Sequence, residues 1–399
     1  MQSAAKRVIF AGAGPAGSAT ALELLQRGMQ PVIVERETFP RFHIGESLTG
    51  ETGMRLRALG LEDDLNRLQY QVKYGTQVFG RGGNSHFKVP VMKRELGELL
   101  PMTTWQVERS TFDALLLSKA LERGATRIKG YVGSVKQLED GRIFSCTVIE
   151  DCGNSEQPCD YFIDATGQVA LLSTQDVVGE KEHGRYSKQI AIYAHMEGIH
   201  TLDTRDTTIF YREKYHWSWY IPITKNKISV GIVVPSDYFK QSLLTREEFF
   251  EREIQSWNPR LTDAVSTLNR CSDVRASSNY SYTIEKYTGP NYLCVGDAHK
   301  FIDPIFSYGV HFALHEGGAA AEAIAASTDG KLDVAGYERY VNLGQRQVQS
   351  YIDSFWQNPV VFGLMVHDPL YREKFIDVFA GRIYEKRDIL DLLHRHCGG

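Results

Sequence analysis

The run Gly12-Ala13-Gly14-Pro15-Ala16-Gly17 restricts the fold more than any other stretch, because it sits between a strand-like segment, Arg7 to Ala11, and a helix-like one, Pro15 to Gly28. Glycines at its first, third and sixth places permit a tight turn, the approach of a pyrophosphate to bare backbone and close packing of helix on strand. The helix N-terminus that follows can stabilise phosphate charge. A second strand, Pro31 to Glu35, ends on an acid about 20 residues beyond the turn, placed to accept hydrogen bonds from an adenosine ribose. Strand, glycine turn, helix and acid-terminated strand together point to dinucleotide binding, with FAD and NAD both open at this stage.

The rest of the chain extends an α/β fold. Phe112 to Gly124 repeats apolar residues at helical spacing, and Tyr161 to Ala165 reads as a buried strand ending at a Thr-Gly turn. Between residues 187 and 285 the pattern turns to alternating β-rich stretches (KQIAIYAHMEG, TTIFYR, WSWYIPI, KISVGIVVP), which reads as an antiparallel sheet with few long helical windows. Asn291 to Gly296 returns as a buried strand, a helix follows near Gly309 to Ser327, and residues 331–399 read as a helical C-terminal region. The expected organisation is therefore a discontinuous Rossmann-like dinucleotide domain (1–186 and 286–330), an interleaved substrate-side antiparallel sheet (187–285) and the C-terminal helices.

Composition narrows the function classes. A net charge of -4 gives no overall reason to bind a nucleic-acid backbone. Cysteines at 146, 152, 159, 271, 294 and 397 show no CxxC spacing, so neither a zinc site nor a redox pair is expected and free thiols in a cytoplasmic protein are. His394-Arg395-His396 reads as a solvated helix end, not a metal site. The apolar run Gly317 to Ala326 falls well short of the about 20 residues needed to span a bilayer, and no export segment precedes the first strand.

Two further motifs, Asp164-Ala165-Thr166-Gly167 and Gly296-Asp297-Ala298, resemble those of the large FAD-dependent monooxygenase superfamily, and this resemblance covers nearly the whole chain. It implies FAD as the cofactor, held by Gly12, Gly14, Ala16, Gly17 and Glu35, by Arg41, Ser47 and Leu48 in PRFHIGESL, by Arg109 in VERSTFD, and by Asp164, Gly167, Asp297 and Pro304.

Within that superfamily, Trp217 to Pro222 (WSWYIP) matches the WxWxIP signature of the flavin-dependent halogenases, whose indoles (Trp217, Trp219), Ile221 and rigid Pro222 would wall off flavin from substrate. Lys73, in QVKYGTQVF, is similar to the catalytic lysine of that family, which meets hypohalous acid as a hydrogen-bond donor or as an amine that carries the halogen. The segment DPIFSYGVH resembles the family's loop beside the flavin ring. It makes Ser307, Tyr308, Gly309 and Val310 candidate halide ligands and Phe306, Tyr308, His311 and Phe312 candidate pocket residues. Halogenases of free tryptophan carry a glutamate where this chain has Phe306. The difference implies a ring that needs less help losing its proton, such as a phenol or pyrrole, free or carrier-bound.

The expected activity is chlorination or bromination of an electron-rich aromatic ring, using FADH2 from a separate flavin reductase, oxygen and a halide. The competing readings are a flavin-dependent aromatic hydroxylase, which would need no halide, and a non-catalytic flavoprotein. GRGGNS at Gly80 to Ser85 lacks the strand and helix that a second nucleotide site requires. Basic residues in Arg382 to Arg395 could meet an acidic carrier protein, but interleaved acids make a solvated helix face the plainer expectation.

Overall fold

The computed structural model describes residues 6–186, 188–198, 206–213, 216–278, 281–327 and 331–385. Its first layer is a sheet in the order Thr288–Gly289, Tyr292–Cys294, Tyr161–Asp164, Arg7–Ala11, Gln30–Glu35, Thr126–Lys129. All neighbours run parallel except the edge pair Thr288–Gly289 with Tyr292–Cys294. Strands buried on both faces must be apolar throughout, and Val8, Ile9, Phe10, Phe162, Ile163 and Leu293 are accordingly fully buried. The helices Pro15–Gln26, Arg109–Glu122 and Gly309–Ala325 cover this sheet. Small residues on the last of these let it approach closely: a Cβ on Gly317 would stand 2.5 Å from Thr20 Oγ1 of the first helix.

The second layer is an eight-stranded sheet, ordered Leu268–Arg270, Gln189–Gly198, Lys227–Pro235, Trp217–Pro222, Thr207–Arg212, Gly75–Phe79, His86–Pro90, with Arg275–Ser278 also paired to Gln189–Gly198. It is antiparallel except where Thr207–Arg212 meets Gly75–Phe79. Two of its strands thus come from residues 75–90, ahead of the β-rich stretch that the sequence marks. GRGGNS falls in the connection between those two strands.

One sequence expectation is corrected inside the β-rich stretch. Residues 236–265 form three helices, Ser236–Gln241, Arg246–Ser256 and Pro259–Val265. Thr245 and Glu248 make a capping box at the second, and Asn258 caps the third just before Pro259. Phe249, Phe250 and Ile254 then pack on one face of the large sheet. Its other face meets the C-terminal helices Val334–Gln357, Pro359–His367 and Pro369–Ala380. Tyr351, Ile352 and Phe355 of the first of these are buried, as expected for an amphipathic helix whose apolar residues return every three or four positions. Residues 386–399, including His394 to His396 and Cys397, lie outside the described residues. Among the described residues no helix is long and apolar enough to cross a membrane.

The glycine turn is the tightest point of the fold. Gly12 has φ +101°, and a Cβ on Gly17 would stand 2.1 Å from the Gly12 carbonyl oxygen. Gly17→Ala should therefore force helix from strand, costing about 1–3 kcal/mol; the check is the urea midpoint, together with loss of flavin binding in the same variant.

Candidate active site

The short strand Thr104–Gln106 organises the site. On one edge it pairs antiparallel with Gln71–Lys73, setting Lys73 opposite Thr104. On the other it holds the PRFHIGESL segment: Leu48 N–H donates to Trp105 O, Val107 N–H to Glu46 O, and Ser47 is bridged to Gln106. Two segments far apart in sequence are thereby brought together, and Lys73 Nζ donates to Ser47 Oγ at 2.8 Å and to Leu48 O at 3.0 Å. The hydroxyl of Ser47 and the carbonyl of Leu48, both expected at the cofactor, thus meet the lysine.

Lys73 is 4% exposed and both of its partners are uncharged. An ammonium taken from water without a counter-charge is strongly disfavoured. Burial alone lowers its pKa from 10.5 to about 7. It is thus poised to be an amine or an ammonium near neutrality, unlike a solvated lysine.

The Gln71 N–H donates to Ile223 O at 2.7 Å, which ties the lysine strand to the end of Trp217–Pro222. Alternation along that strand turns Trp217, Trp219 and Ile221 into the same aromatic core as Phe210, Phe306, Tyr308 and Phe312, while Tyr220 faces the core under the helices of residues 236–265. The two indoles lie 5.6 Å apart between centroids. Trp219 Nε1 donates to Ser229 Oγ at 2.9 Å. Gly231 supplies room that no sequence pattern announced: a Cβ there would stand 2.2 Å from the Trp219 ring. Pro222 closes the strand, buried.

Phe306 packs against Phe210, Tyr351, Phe355, Phe362 and Phe379, so five aromatic rings surround the place where the tryptophan halogenases carry a glutamate. Beside it, Ser307 adopts a left-handed conformation, φ +64°, and turns the chain into the helix beginning at Gly309. The first turn of a helix leaves its amides without intrahelical partners, which supplies donors at Gly309 and Val310. A Cβ on Gly309 would meet nothing within 4 Å, so this turn opens onto free space. Tyr308 is buried with its hydroxyl donating to Val378 O, and it stacks on Phe312. His311, expected at the pocket, has its Nδ1 on Thr49 and Thr52 at 3.1 and 3.4 Å and stacks near His315 and Tyr384. Burial holds its pKa well below the usual value, so it is neutral.

The dinucleotide cradle fits FAD. A Cβ on Gly12 would stand 2.5 Å from Ala165 O, whereas Gly14 meets only Arg41 Nη2 at 3.7 Å, leaving the backbone of Gly14 and the helix start at Ala16 open to a pyrophosphate. Arg41 and Arg109 converge on Asp113, at 3.1 Å and 2.7 Å, and Arg109 also donates to Ile44 O. Glu35 accepts from Ala13 N–H at 2.8 Å and from Glu37 N–H at 2.7 Å, so the acid also shapes the glycine turn. Asp164, expected at the cofactor, has both oxygens engaged by Thr166 and Leu172, and its side chain builds the turn that presents Gly167. Asp297 lies beside Arg109; burial pushes its pKa up to about 7, against the pull of Arg109. Pro304 opens the short helical turn capped by Asp303.

Two buried pairs had no signal in the sequence. Glu316 accepts from Gly296 N–H at 2.7 Å and from His299 Nε2 at 3.0 Å, tying the helix that starts at Gly309 to the Gly296-Asp297-Ala298 turn. Glu46 Oε1 lies 2.7 Å from His195 Nε2. Burial disfavours charge on this histidine, but the bond to Glu46 prevails and raises its pKa.

Comparison with known proteins gives a consistent result. A family model described as tryptophan halogenase matches residues 7–90 and 84–359. A 1H-pyrrole-2-carbonyl (peptidyl-carrier protein) brominase of Pseudoalteromonas luteoviolacea is 35% identical over 384 residues, covering 95% of this chain and 92% of the relative. The corresponding chlorinase of Pseudomonas fluorescens is 26% identical, covering 96% and 91%. The structure of the flavin-dependent brominase Bmp2 matches with a TM-score of 0.90 at 33% identity, over 98% of both chains.

The buried lysine makes a stability prediction. Its folded pKa, about 7, lies below its unfolded 10.5, so the destabilisation is complete below pH 7 and fades as pH rises towards 10.5. Lys73→Met should raise the thermal midpoint at pH 6.5, and the gain should shrink by pH 9.5, as checked by calorimetry at the two pH values.

Proposed function

The chain belongs to the flavin-dependent halogenase family, and from that premise we propose that it chlorinates or brominates an electron-rich ring, a pyrrole or phenol, with a carrier-bound pyrrole-2-carbonyl group as its leading substrate. The observation that carries this reading is Lys73: an amine buried without a counter-charge at the end of the tryptophan-lined strand. The relatives that act on pyrrole-2-carbonyl carrier proteins support the choice of ring.

FAD would be held by Gly12, Gly14, Ala16 and Gly17 at the pyrophosphate, by Glu35 at the ribose, and by Arg41, Arg109, Asp297 and Gly167 around them. In its reduced form, supplied by a separate reductase, it provides the two electrons by which oxygen and halide become hypohalous acid and water. The amides of Tyr308, Gly309 and Val310 at the helix start, with Ser307, would offer the halide donors, since a hydrogen bond to an anion is strong. Trp217, Trp219 and Ile221 would wall the ring off from that side, so that the oxidant meets Lys73 first.

At Lys73 two routes share the same geometry. The Nζ–H can donate to the oxygen of hypohalous acid and draw electrons from the halogen, or the amine can displace hydroxide and carry the halogen as N–X. Either way the ring carbon gains halogen and releases one proton. Phe306 and its aromatic neighbours offer no carboxylate to take it, which favours a ring whose own nitrogen or oxygen stabilises the cation. The shared superfamily motifs are the ground for the hydroxylase reading, and neither the halogenase signature nor the relatives favour it. The five described cysteines are free thiols, which supports a reducing, cytoplasmic setting.

The test supplies the protein with FAD, a flavin reductase, NADH, oxygen and chloride or bromide, and reads pyrrole-2-carbonyl carrier protein, phenol and indole by mass spectrometry. A chlorine or bromine isotope pattern on the carrier-bound pyrrole is expected, and it should fall by roughly a hundredfold or more in Lys73→Ala under catalase. An added oxygen that requires no halide would overturn the reading.

A further inference from the structure

The lysine's partner is the first member of a longer chain. Ser47 Oγ lies 2.7 Å from Thr208 Oγ1, and Thr208 Oγ1 lies 2.9 Å from Gln106 Oε1. Ser47 is 3% exposed, and Thr208 and Gln106 are fully buried, so water does not offer these groups an alternative. With Gln106 presenting its Oε1, which only accepts, the Thr208 hydroxyl donates to it. Thr208 Oγ1 is then the acceptor for the Ser47 proton, which leaves Ser47 Oγ as an acceptor for Lys73. Every proton in the chain therefore runs away from the lysine. Gln106 Nε2, at the far end, is buried with no partner among the described residues, and so the amide is engaged through its oxygen alone.

We propose that Thr208 and Gln106 are positioning residues for Lys73: by fixing the direction of this chain they forbid Ser47 from donating to the amine, and so keep the third site on Nζ free for the oxidant. The proposal rests on the reading of Lys73 as the residue that meets hypohalous acid. Nζ has two committed N–H donors, to Ser47 and to Leu48. Its third site is an N–H in the ammonium and a lone pair in the amine. A hydroxyl donor at Ser47 would occupy that lone pair, and capture of the halogen by the amine would fall.

The same geometry should govern the lysine's titration. Burial is the only cause of its displaced pKa. The titratable groups on the elements around it are Glu46, bonded to His195; Glu51, bonded to Arg382; Glu108, bonded to Lys227; Asp206; and His311, held neutral by burial. None of them contributes to the shift. The direction of the hydroxyl chain is thus the local polar feature that can move it. Thr208→Val removes the acceptor for the Ser47 proton, and the nearest remaining base is the amine. Donation to the amine stabilises its neutral form, so the midpoint must fall.

The test labels lysine with 13C at Cε and follows the Lys73 resonance, assigned by its loss in Lys73→Met, through a pH titration. In Thr208→Val the midpoint should drop by about half a unit or more, with Thr208→Ser unchanged. Gln106→Met breaks the chain from its other end and should give the same fall, which covers the case in which the valine variant does not fold. Halogenation by both broken-chain variants should decline, with flavin affinity held. Unaltered midpoints in Thr208→Val and Gln106→Met, or an equal fall in Thr208→Ser, would overturn the proposal. If instead Lys73→Ala still halogenates, the lysine's assigned role fails while the titration arm continues to report the chain's direction.

Discussion

An amine without a counter-ion is a costly thing to bury, and the arrangement around Lys73 follows from that cost. A carboxylate beside it would hold the proton and leave a stable ammonium; solvent would do the same. The protein uses neither. It offers two neutral acceptors, Ser47 Oγ and Leu48 O, and closes the surroundings with strand and aromatic core. This requires the PRFHIGESL segment and the lysine strand to flank one common strand, Thr104–Gln106, and it requires the large sheet to take in residues 75–90 as well as 189–278. The interleaving of the two layers along the chain is the topological expression of that requirement.

The helix beginning at Gly309 joins the two halves of the chemistry. Its first turn presents the donors proposed for halide, and two turns on Glu316 grips the Gly296 amide and His299 beneath the flavin cradle. A rigid helix makes these one body, so the donors and the cradle keep a fixed separation. Tyr308 anchors the same helix start to the C-terminal helices through Val378. The aromatic enclosure of Phe306 completes the join, since its neighbours come from the large sheet and from three C-terminal helices.

What the sequence disclosed was the local part. The tight turn of Gly12, Gly14 and Gly17, which Glu35 braces, was legible because such a turn is built from consecutive residues whose spacing is its geometry. Trp217 to Pro222 was legible for the same reason. The bond from Lys73 to Ser47 joins strands paired through a third, and no spacing encodes it; Thr208 and Gln106 were hidden behind it in the same way. Gly231 went unnoticed because its meaning is the indole on the neighbouring strand. Asp164 and His311, expected at cofactor and pocket, also have partners that no motif announces, Thr166 and Leu172 for one and, from far along the chain, Thr49 and Thr52 for the other. The helices of residues 236–265 were overlooked because each is short, so that caps, not periodicity, were their clearest sign.

The two-faced character of the Trp217–Pro222 strand gives parity a meaning in this chain. Odd positions (Trp217, Trp219, Ile221) pack in the aromatic core with Phe210, Phe306, Tyr308 and Phe312, and Tyr220 packs in a separate core under the helices of residues 236–265. Variation at the odd positions reshapes the core shared with Phe306 and Tyr308, whereas variation at Tyr220 acts on how firmly the strand is seated under the helices. Changes along one register can therefore reshape one core while the opposite register keeps the strand seated, because successive side chains of a strand leave it on opposite faces.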